Sequence, residues 1–366
     1  MYIESISFER KYFEKNKWEI DNFYLSKINL IAGKNASGKT RILNSISTLI
    51  DFLREGNIDS DSLYYSWNIK LIKNKIEYIY DLKIDNSIVL FEELKIDNDI
   101  YFSRDKEGKG KIIYESKKDL ELDFAIENSK ILLANKRDKI QHLLLEPIFN
   151  WINSFYLFEF GDSLGQGHRY DIRNNIPNND KQVVYKFKKG LDKFGDKFKN
   201  RIIETFNGIG YGIEDIYIKD IVYQVYALYI KENSEEISQR EISQGMFRVL
   251  SLVVQITYLE FSSKKNITIL IDDIGEGLDF ERANNLIKYL VKNAKMQRNK
   301  LQLIMTTNDR LVMNNVSLEH WIIVDKDDNG KINFYSEKTH SKIFKKFKRI
   351  GLNNFDFFSS EYYKEN

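Results

Sequence analysis

The sequence predicts an α/β fold in which a core of strands and helices is interrupted by a long insertion of mixed structure. Residues 28–32 form an apolar run that is followed by a glycine-rich loop and by apolar residues at helical spacing. Residues 267–271, much later in the chain, form a second, β-branched run that ends in two aspartates. Between these segments the apolar period changes from two to 3.6 and back, which is typical of mixed strands and helices.

Composition indicates a globular chain and excludes several chemistries. The 366 residues are 42% hydrophobic and 30% charged, and they suffice for two or so domains with a substantial core. Because the chain contains no cysteine, disulfides, thiolate metal sites and cysteine nucleophiles are excluded. We find neither a signal-peptide core nor an apolar run of about 20 residues, so we expect a cytoplasmic protein that does not engage a membrane.

Charge and histidine placement give no global signal for nucleic acid or metal. The 56 basic and 54 acidic residues leave a net charge of +2, so any nucleic-acid surface has to be a local patch. The histidines show no metal-ligand spacing; they are His142, His168, His320 and His340.

The segment GKNASGKT at residues 33–40 carries the strongest chemical signal. It matches the phosphate-binding loop (P-loop) pattern G-x-x-x-x-G-K-[ST] and lies between a strand and a helix. Its backbone N–H groups would surround the phosphates of a nucleoside triphosphate. Lys39 would reach the β- and γ-phosphates, and the Thr40 hydroxyl would ligate Mg²⁺. The residues predicted to contact the nucleotide here are Gly33, Asn35, Ala36, Ser37, Gly38, Lys39 and Thr40.

The run at 267–271 has the form of a Walker B strand, which brings a carboxylate to the metal ion of a P-loop site. We expect it to lie directly beside the P-loop strand. Asp272, at the end of this strand, is the predicted Mg²⁺ ligand together with Thr40. Such a strand carries little information alone and gains its meaning from the P-loop upstream.

A serine-led helix start precedes that strand. Residues 243–248 read Ser-Gln-Gly-Met-Phe-Arg and open a helical run. A hydroxyl and free N–H groups at the positive end of a helix dipole can bind an anion. The commoner interpretation is that Ser243 is an ordinary N-cap, and the order of the motifs has to decide between the two.

That order resembles the ABC-type ATPases. The P-loop and a long insertion are followed by Ser-Gln-Gly-x-x-Arg, the Walker B strand, Gly-Leu-Asp at 277–279 and LIMTTND at 303–309. The chain is similar to the branch with SMC-like, RecF-like and OLD-type proteins, and above all to stand-alone "AAA family ATP-binding proteins" of anti-phage or toxin–antitoxin loci. The resemblance covers residues 1–40 and 241–324. It implies an ABC-type P-loop domain, with a mixed sheet, flanking helices and an antiparallel β meander.

The resemblance also implies a site shared between two subunits. Ser243, Gln244 and Gly245 would correspond to the signature motif, which in such proteins contacts the γ-phosphate bound to the other subunit. Asp279 falls at the D-loop aspartate, which also acts across the interface. The implied assembly is a head-to-tail homodimer that holds two ATP molecules, so that ATP joins the subunits and hydrolysis releases them.

Two departures from the family pattern predict slow turnover. Asp273 replaces the glutamate that positions the attacking water, and a catalytic base misplaced by about 1 Å can cost on the order of a hundredfold in rate. Asn308 stands where a switch histidine is expected and cannot carry a proton at neutral pH. Glu276 lies nearby in sequence and is a substitute base. Gln141 is a candidate for the Q-loop glutamine, although a helix-surface glutamine is the more common interpretation.

The apolar periods predict the remaining structure. Residues 1–8 and 18–24 read as a hairpin, and residues 76–114 as an antiparallel meander. Residues 131–160 read as helical, and residues 183–206 as amphipathic, with phenylalanines opposite lysines.

Domain boundaries follow from the motif positions, because no linker or repeat marks them. We predict a nucleotide-binding domain split between 1–60 and 241–337, a β meander at 61–120, a mixed insertion at 121–240 that faces a partner or nucleic acid, and a basic C-terminal tail at 338–366.

Three weaker signals favour ordinary structure. Residues 325–327 have the D-x-D form of a nuclease site, but a hairpin turn explains them better. The basic segments 186–201 and 338–349 read as amphipathic helices with solvated lysines rather than as phosphate-backbone surfaces. Tyr12 and Phe13 could stack on adenine, although packing is the commoner role of such aromatics.

Together these features predict an ATPase that uses ATP and Mg²⁺ and dimerises through its ATP sites. We expect the dimer to control a separate effector protein, in bacterial anti-phage defence, with DNA or RNA as a further candidate partner. The alternative is an SMC/RecF-like DNA-repair ATPase that binds DNA directly; the absence of a heptad pattern between residues 41 and 240 speaks against it.

Overall fold

The protein is built around a six-stranded, mostly parallel sheet. The computed structural model describes residues 1–11, 17–58, 63–114, 120–136, 138, 140–162, 164–171, 183–262, 267–296, 301–327 and 330–365. The strands of the central sheet are β3 (Ile28–Ala32), β10 (Phe155–Glu159), β15 (Ile267–Asp272), β16 (Leu301–Thr307), β17 (Trp321–Lys326) and β18 (Ile332–Ser336). Their order is β10-β15-β16-β3-β17-β18, and every neighbouring pair is parallel except β17 and β18.

The central sheet is buried on both faces. Leu30 of β3 packs into one hydrophobic core, and the next residue, Ile31, packs into a second core on the opposite side. In β16, Leu303 packs into the first core with Leu30, and Ile304 packs into the second core with Ile31. Near-continuous apolar runs such as that of β3 are what a parallel sheet covered on both faces requires.

One face is covered by helices and by an eight-stranded antiparallel sheet. The helices are α1 (Lys39–Glu55), α2 (Leu132–Asn135) and α3 (Glu146–Ile152). The strands are β1 (Tyr2–Lys11), β2 (Lys17–Tyr24), β4 (Tyr64–Lys73), β5 (Ile76–Asp85), β6 (Ile88–Ile96), β7 (Asp99–Arg104), β8 (Lys109–Tyr114) and β9 (Leu120–Ala125). Their order is β2-β1-β4-β5-β6-β7-β8-β9. The predicted hairpin and meander are confirmed here.

The other face is covered by the remaining helices and by a small antiparallel sheet. Its strands are β11 (Tyr170–Asp171), β12 (Asp215–Val222), β13 (Val225–Glu232) and β14 (Glu235–Ser238). The helices are α4 (Val183–Phe194), α5 (Asp196–Ile209), α6 (Gln244–Phe261), α7 (Phe280–Met296), α8 (Arg310–Asn315), α9 (Ser341–Lys348) and α10 (Asn354–Ser359).

Two predicted helical segments differ from the structure. The helical prediction for 131–160 is wrong at Phe155–Glu159, which forms β10 and pairs in parallel with the Walker B strand β15. The segment is rich in aromatic residues, which suit a buried strand as well as a helix. The amphipathic segment at 183–206 is two helices, because Gly195 adopts a left-handed φ of 62° between α4 and α5.

The Walker B strand does not lie beside the P-loop strand, so that prediction is wrong. β16 lies between them and is parallel to both, with Thr306 paired to Ile31 and Met305 paired to Ile271. Three apolar strands of similar composition lie side by side here, and hydrophobic periodicity alone cannot predict which of them pair with each other.

The C-terminal basic segment contains the helices α9 and α10. Phe344 and Phe347 of α9 and Phe357 of α10 are buried in the core, while Lys342 and Lys345 point to solvent. The amphipathic-helix interpretation of 338–349 is therefore confirmed. Among the helices of the described residues, none combines the length and the apolar character that a bilayer crossing requires.

Candidate nucleotide site

Three parallel strands deliver the predicted site residues to one edge of the central sheet. β3 leads into the P-loop at residues 33–40, β15 ends at Asp272, and β16 ends just before Asn308. The register places Thr307 opposite Ala32 and Ile271 opposite Met305, so these strand ends are level. Ligands of open α/β sheets bind at the carboxyl ends of the strands.

The P-loop forms a close backbone cradle at the start of α1. Ala36 and Gly38 adopt left-handed φ angles of 61° and 105°, which turn successive N–H groups toward one centre. A Cβ atom at Gly33 would lie 2.6 Å from both Ser37 Oγ and the Val324 carbonyl oxygen, so only glycine fits there. The buried Ser37 Oγ has no hydrogen-bond partner among the described residues, as expected for a group that contacts a ligand.

Lys39 lies inside this cradle. Its ammonium group donates to the carbonyl oxygens of Gly33 at 2.9 Å and Lys34 at 3.1 Å. Burial lowers the pKa of Lys39, and the carboxylates of Asp273 and Asp272 oppose that shift. A buried cation whose hydrogen bonds, among the described residues, go to carbonyl oxygens favours an anionic partner such as a phosphate.

Thr306 organises the two aspartates at the end of the Walker B strand. Its hydroxyl donates to Oδ1 of Asp272 and accepts from the backbone N–H of Asp273 at 2.9 Å. Asp272 is 9% exposed, and Thr40 is exposed at the N-terminus of α1. One carboxylate and one hydroxyl next to a phosphate cradle suit Mg²⁺, which binds through few protein ligands plus substrate phosphates.

Asp273 is held in an unusual conformation. Its φ of 51° is left-handed, a region that aspartate tolerates better than most residues. Burial raises the pKa of its carboxyl, and the neighbouring charges of Asp272 and Glu276 raise it further against the attraction of Lys39. Both carboxylates proposed for hydrolysis therefore belong to one electrostatic cluster with Lys39.

Glu276 and Asn308 contact different loops of the same edge. Oε2 of Glu276 lies 2.8 Å from the position that a Cβ atom of Gly161 would occupy, just after β10. The Asn308 amide donates to Oδ1 of Asn35 in the P-loop at 2.8 Å. Loop 161–162 follows the strand that neighbours the Walker B strand, a position that the sequence did not reveal.

The predicted signature residues form the N-terminus of α6. Ser243 is the N-cap, and its hydroxyl accepts from the N–H of Met246 at 3.2 Å. Ser243 and Gln244 are exposed, whereas Gly245 is packed so tightly that a Cβ atom would lie 2.5 Å from the Gly277 carbonyl. The N-cap interpretation is confirmed, and it leaves the helix start open to an anion from outside the subunit.

Arg248, one turn into α6, donates hydrogen bonds to three loop carbonyls. Its guanidinium donates to Gly161 at 2.9 Å, to Asp162 at 3.1 Å and to Glu276 at 3.2 Å. The side chain is buried, with 6% of the residue exposed. The sequence pattern includes this arginine, but its partners are too distant in sequence to be predicted.

Asp279 caps the next helix. Its carboxylate accepts from the N–H of Arg282 at 3.0 Å and pairs with the Arg282 guanidinium at 2.9 Å, and the backbone bond is the main cause that lowers its pKa. Arg282 also lies over the ring of Tyr211, 4.4 Å from its centroid. Arg282 therefore connects Asp279, the predicted D-loop aspartate, to Gly210 and Tyr211 of the predicted insertion.

A cavity of about 490 Å³ lies between α1 and the edge of the antiparallel sheet, beside the P-loop. Trp18 lines the cavity and also lies next to the P-loop, because a Cβ atom added at Gly38 would lie 3.7 Å from its Nε1. Sequence reasoning missed this cavity and considered Tyr12 and Phe13 instead, which lie outside the described residues. The lining residues are Phe8, Arg10, Lys17, Trp18, Arg41, Asn44, Ser45, Thr48 and Tyr65.

The weaker candidates lie elsewhere. Gln141 is on a turn whose neighbour, His142, contacts Tyr101 of the antiparallel sheet. Asp325 forms an ion pair with Lys364 at 2.8 Å, and it lies on a strand that pairs with β18 across a hairpin, as the turn interpretation predicts.

Comparison with known proteins identifies the family. A family model described as "AAA domain, putative AbiEii toxin, Type IV TA system" matches residues 28–314. No curated protein sequence matches the chain. A similar solved structure is the Smc head domain from Pyrococcus furiosus, with an extended coiled coil and bound to the C-terminal domain of ScpA. It has a TM-score of 0.51 and 13% sequence identity, and the match covers 95% of this chain and 99% of that one. This chain therefore belongs to the AAA-domain family of that model, and its fold is similar to that of the Smc head domain, as the predicted ABC-type P-loop architecture implies.

Proposed function

We propose that the protein binds MgATP, dimerises head to tail around it, hydrolyses it slowly and thereby controls a separate effector protein in bacterial defence against phage. The observation that carries the proposal is that one chain exposes two separate helix starts, at the P-loop and at Ser243, each of which suits an anion. In the P-loop, Lys34, Asn35 and Thr40 are exposed. At the start of α6, Ser243 and Gln244 are exposed. Among the described residues no hydrogen bond joins these two sites.

A single subunit therefore encloses the triphosphate from one side only. A second copy supplies the N-terminus of α6, whose dipole and free N–H groups stabilise the γ-phosphate. Because each copy offers both surfaces, a two-fold arrangement closes both sites at once. Asp279, exposed at the start of α7, lies beside the same surface through the contact of Gly245 with Gly277.

We assign the cavity beside the P-loop to the nucleobase. Its aromatic floor comes from Phe8, Trp18 and Tyr65, and Arg10 lies 5.6 Å from the centroid of the Tyr65 ring. A volume of about 490 Å³ accommodates a purine and its ribose. Among the described residues the lining contains no carboxylate to pair with the N–H groups of guanine, which favours recognition by stacking.

Slow turnover follows from the hydrolytic residues. Asp273 is shorter than the glutamate of related enzymes, and Asn308 cannot accept a proton. A steady-state rate well below about 10 s⁻¹, the median for enzymes, is therefore expected. A faster rate would contradict this part of the proposal and would point to Glu276 as an effective base.

The effector contact is proposed for the insertion, at the hairpin between β12 and β13. Three consecutive apolar residues, Ile221, Val222 and Tyr223, are 37%, 63% and 76% exposed at its tip. Adjacent exposed apolar side chains indicate a surface for another protein more than isolated ones do.

Complementation tests the shared site. Lys39→Ala removes the phosphate lysine and Ser243→Arg blocks the signature element, so each variant alone should be inactive in ATP hydrolysis. When the two are mixed, the mixed dimer contains one intact site, formed by the P-loop of one variant and the signature element of the other. Activity should therefore reappear on mixing and not with the double variant. A mixture that stays inactive would contradict the proposal.

Capture from native cells tests the effector. The Asp273→Ala protein with bound ATP should retain one protein in a fixed ratio, and the added pair Val222→Asp and Tyr223→Asp should release it while ATP binding persists. Recovery of DNA without protein would instead support the alternative of direct DNA binding, in the manner of SMC/RecF-type repair ATPases.

A further inference from the structure

Arg248 connects the surface proposed for the second subunit to the carboxylates proposed for hydrolysis. It lies in α6 one turn after Ser243, and its guanidinium contacts no carboxylate among the hydrogen bonds of the described residues. All three of its acceptors are backbone carbonyls of two loops, 161–162 after β10 and 276 after β15. A buried cation held in this way is stable only while both loops keep their positions.

The same loops hold the backbone at Glu276, whose carbonyl accepts from Arg248. The Glu276 side chain is exposed, and its Oε2 lies 2.8 Å from the position that a Cβ atom of Gly161 would occupy. Gly277, with a left-handed φ of 75°, allows the guanidinium to approach, since a Cβ there would lie 3.1 Å from Nη1. Gly245 of α6 packs on the Gly277 carbonyl. A shift of the start of α6 therefore displaces the Glu276 loop at two points.

We infer that Arg248 is a positioning residue that makes the placement of Glu276 depend on the position of the N-terminus of α6. Engagement of Ser243 by the γ-phosphate on the other subunit then sets the hydrolytic geometry in its own subunit. This inference rests on the proposed function, because it uses the shared ATP site. It extends that function by naming the residue that couples the start of α6 to the hydrolytic residues of the same subunit.

Lysine at position 248 preserves the charge but loses the fork that reaches three carbonyls. In Arg248→Lys the ATP dissociation constant should stay within threefold of wild type. The ATPase rate per subunit at saturating protein concentration should fall at least tenfold, while the protein concentration that gives the half-maximal rate should stay unchanged. Arg240→Lys is the matched control, because exposed Arg240 also donates to a loop carbonyl, that of Gly167 at 3.0 Å, and it should behave as wild type.

A second variant leaves Arg248 intact and moves Glu276 directly. Gly161→Ala places a methyl group against the Glu276 carboxylate, whereas Gly167→Ala adds one in open space. Gly161→Ala should reproduce the fall in the ATPase rate with an unchanged melting temperature, and Gly167→Ala should not.

Three outcomes separate the claims. If wild-type activity per subunit does not rise with concentration, the shared site fails and the inference fails with it. If wild-type activity rises with concentration but Arg248→Lys and Gly161→Ala hydrolyse ATP as fast as wild type, the positioning role alone is overturned. If Arg248→Lys is merely unstable and Gly161→Ala hydrolyses ATP as fast as wild type, Arg248 is structural and the inference is also overturned.

Discussion

The side-chain amide of Asn308 donates a 2.8 Å hydrogen bond to Oδ1 of Asn35, so the end of β16 is joined to the P-loop. Asn308 follows the strand that separates the Walker B strand from the P-loop strand. This position agrees with the proposal that Asn308 contacts the γ-phosphate of a bound nucleotide.

Asn308→Ala should slow hydrolysis by about tenfold or more, because one preorganised donor near the γ-phosphate is lost. ADP affinity should change little, since ADP lacks that phosphate. Single-turnover hydrolysis and nucleotide titration measure the two effects. Asn315→Ala, which removes an amide bonded to the Leu311 carbonyl in α8, is the matched control. An unchanged hydrolysis rate would show that Asn308 does not act on the γ-phosphate.

Thr306→Val should destabilise the protein by about 1–3 kcal/mol, because it leaves buried groups of Asp272 and Asp273 without a partner. Urea unfolding measures the loss, and Mg²⁺-dependent ATP binding should weaken in parallel. Thr306→Ser keeps the hydroxyl and should retain most of the stability. Equal stability of the valine and serine variants would exclude the proposed organising role of this hydroxyl.

Trp18→Ala should raise the ATP dissociation constant by about tenfold, since base–aromatic stacking contributes about 1–3 kcal/mol. Binding of inorganic tripolyphosphate should be unaffected, because it has no base to stack. Trp18→Phe should bind ATP within about threefold of wild type if stacking is the contribution. If affinity for tripolyphosphate falls equally, Trp18 supports the P-loop rather than the base.

Stability should decrease below neutral pH because of His320. Burial lowers its pKa below the usual 6.5, so the unfolded chain takes up the proton first. The contribution of neutral His320 to the free energy of unfolding is fully present above about pH 6.5. It is lost as the pH falls toward the pKa of the folded state, at no more than about 1.4 kcal/mol per pH unit. His320→Gln should flatten the unfolding free energy in that range, and exposed His168→Gln should not. Equal slopes in the two variants would exclude His320 as the cause.

The P-loop and the Walker B aspartates could be predicted because their chemistry is encoded in contiguous residues. GKNASGKT at residues 33–40 needs only its own glycines and the flanking strand and helix. Asp272 and Asp273 follow directly from an apolar run. The roles of these residues in binding and hydrolysis remain predictions that the experiments above address.

The rest of the site depends on neighbours that are distant in sequence. β10 was not predicted, because Phe155–Glu159 becomes a strand only by pairing with β15. For the same reason the carbonyl partners of Arg248 could not be foreseen. The nucleobase cavity collects residues from β1, β2, β4 and α1, and no local pattern connects them.

The mass of the protein in solution tests the shared site most directly. At micromolar concentration with saturating MgATP, light scattering should give twice the 43.4 kDa chain mass for the Asp273→Ala variant. The variant that carries both Asp273→Ala and Ser243→Arg should give 43.4 kDa. Without nucleotide, both proteins should be monomeric. A monomer of Asp273→Ala under saturating MgATP, or a dimer that Ser243→Arg leaves intact, would contradict the account.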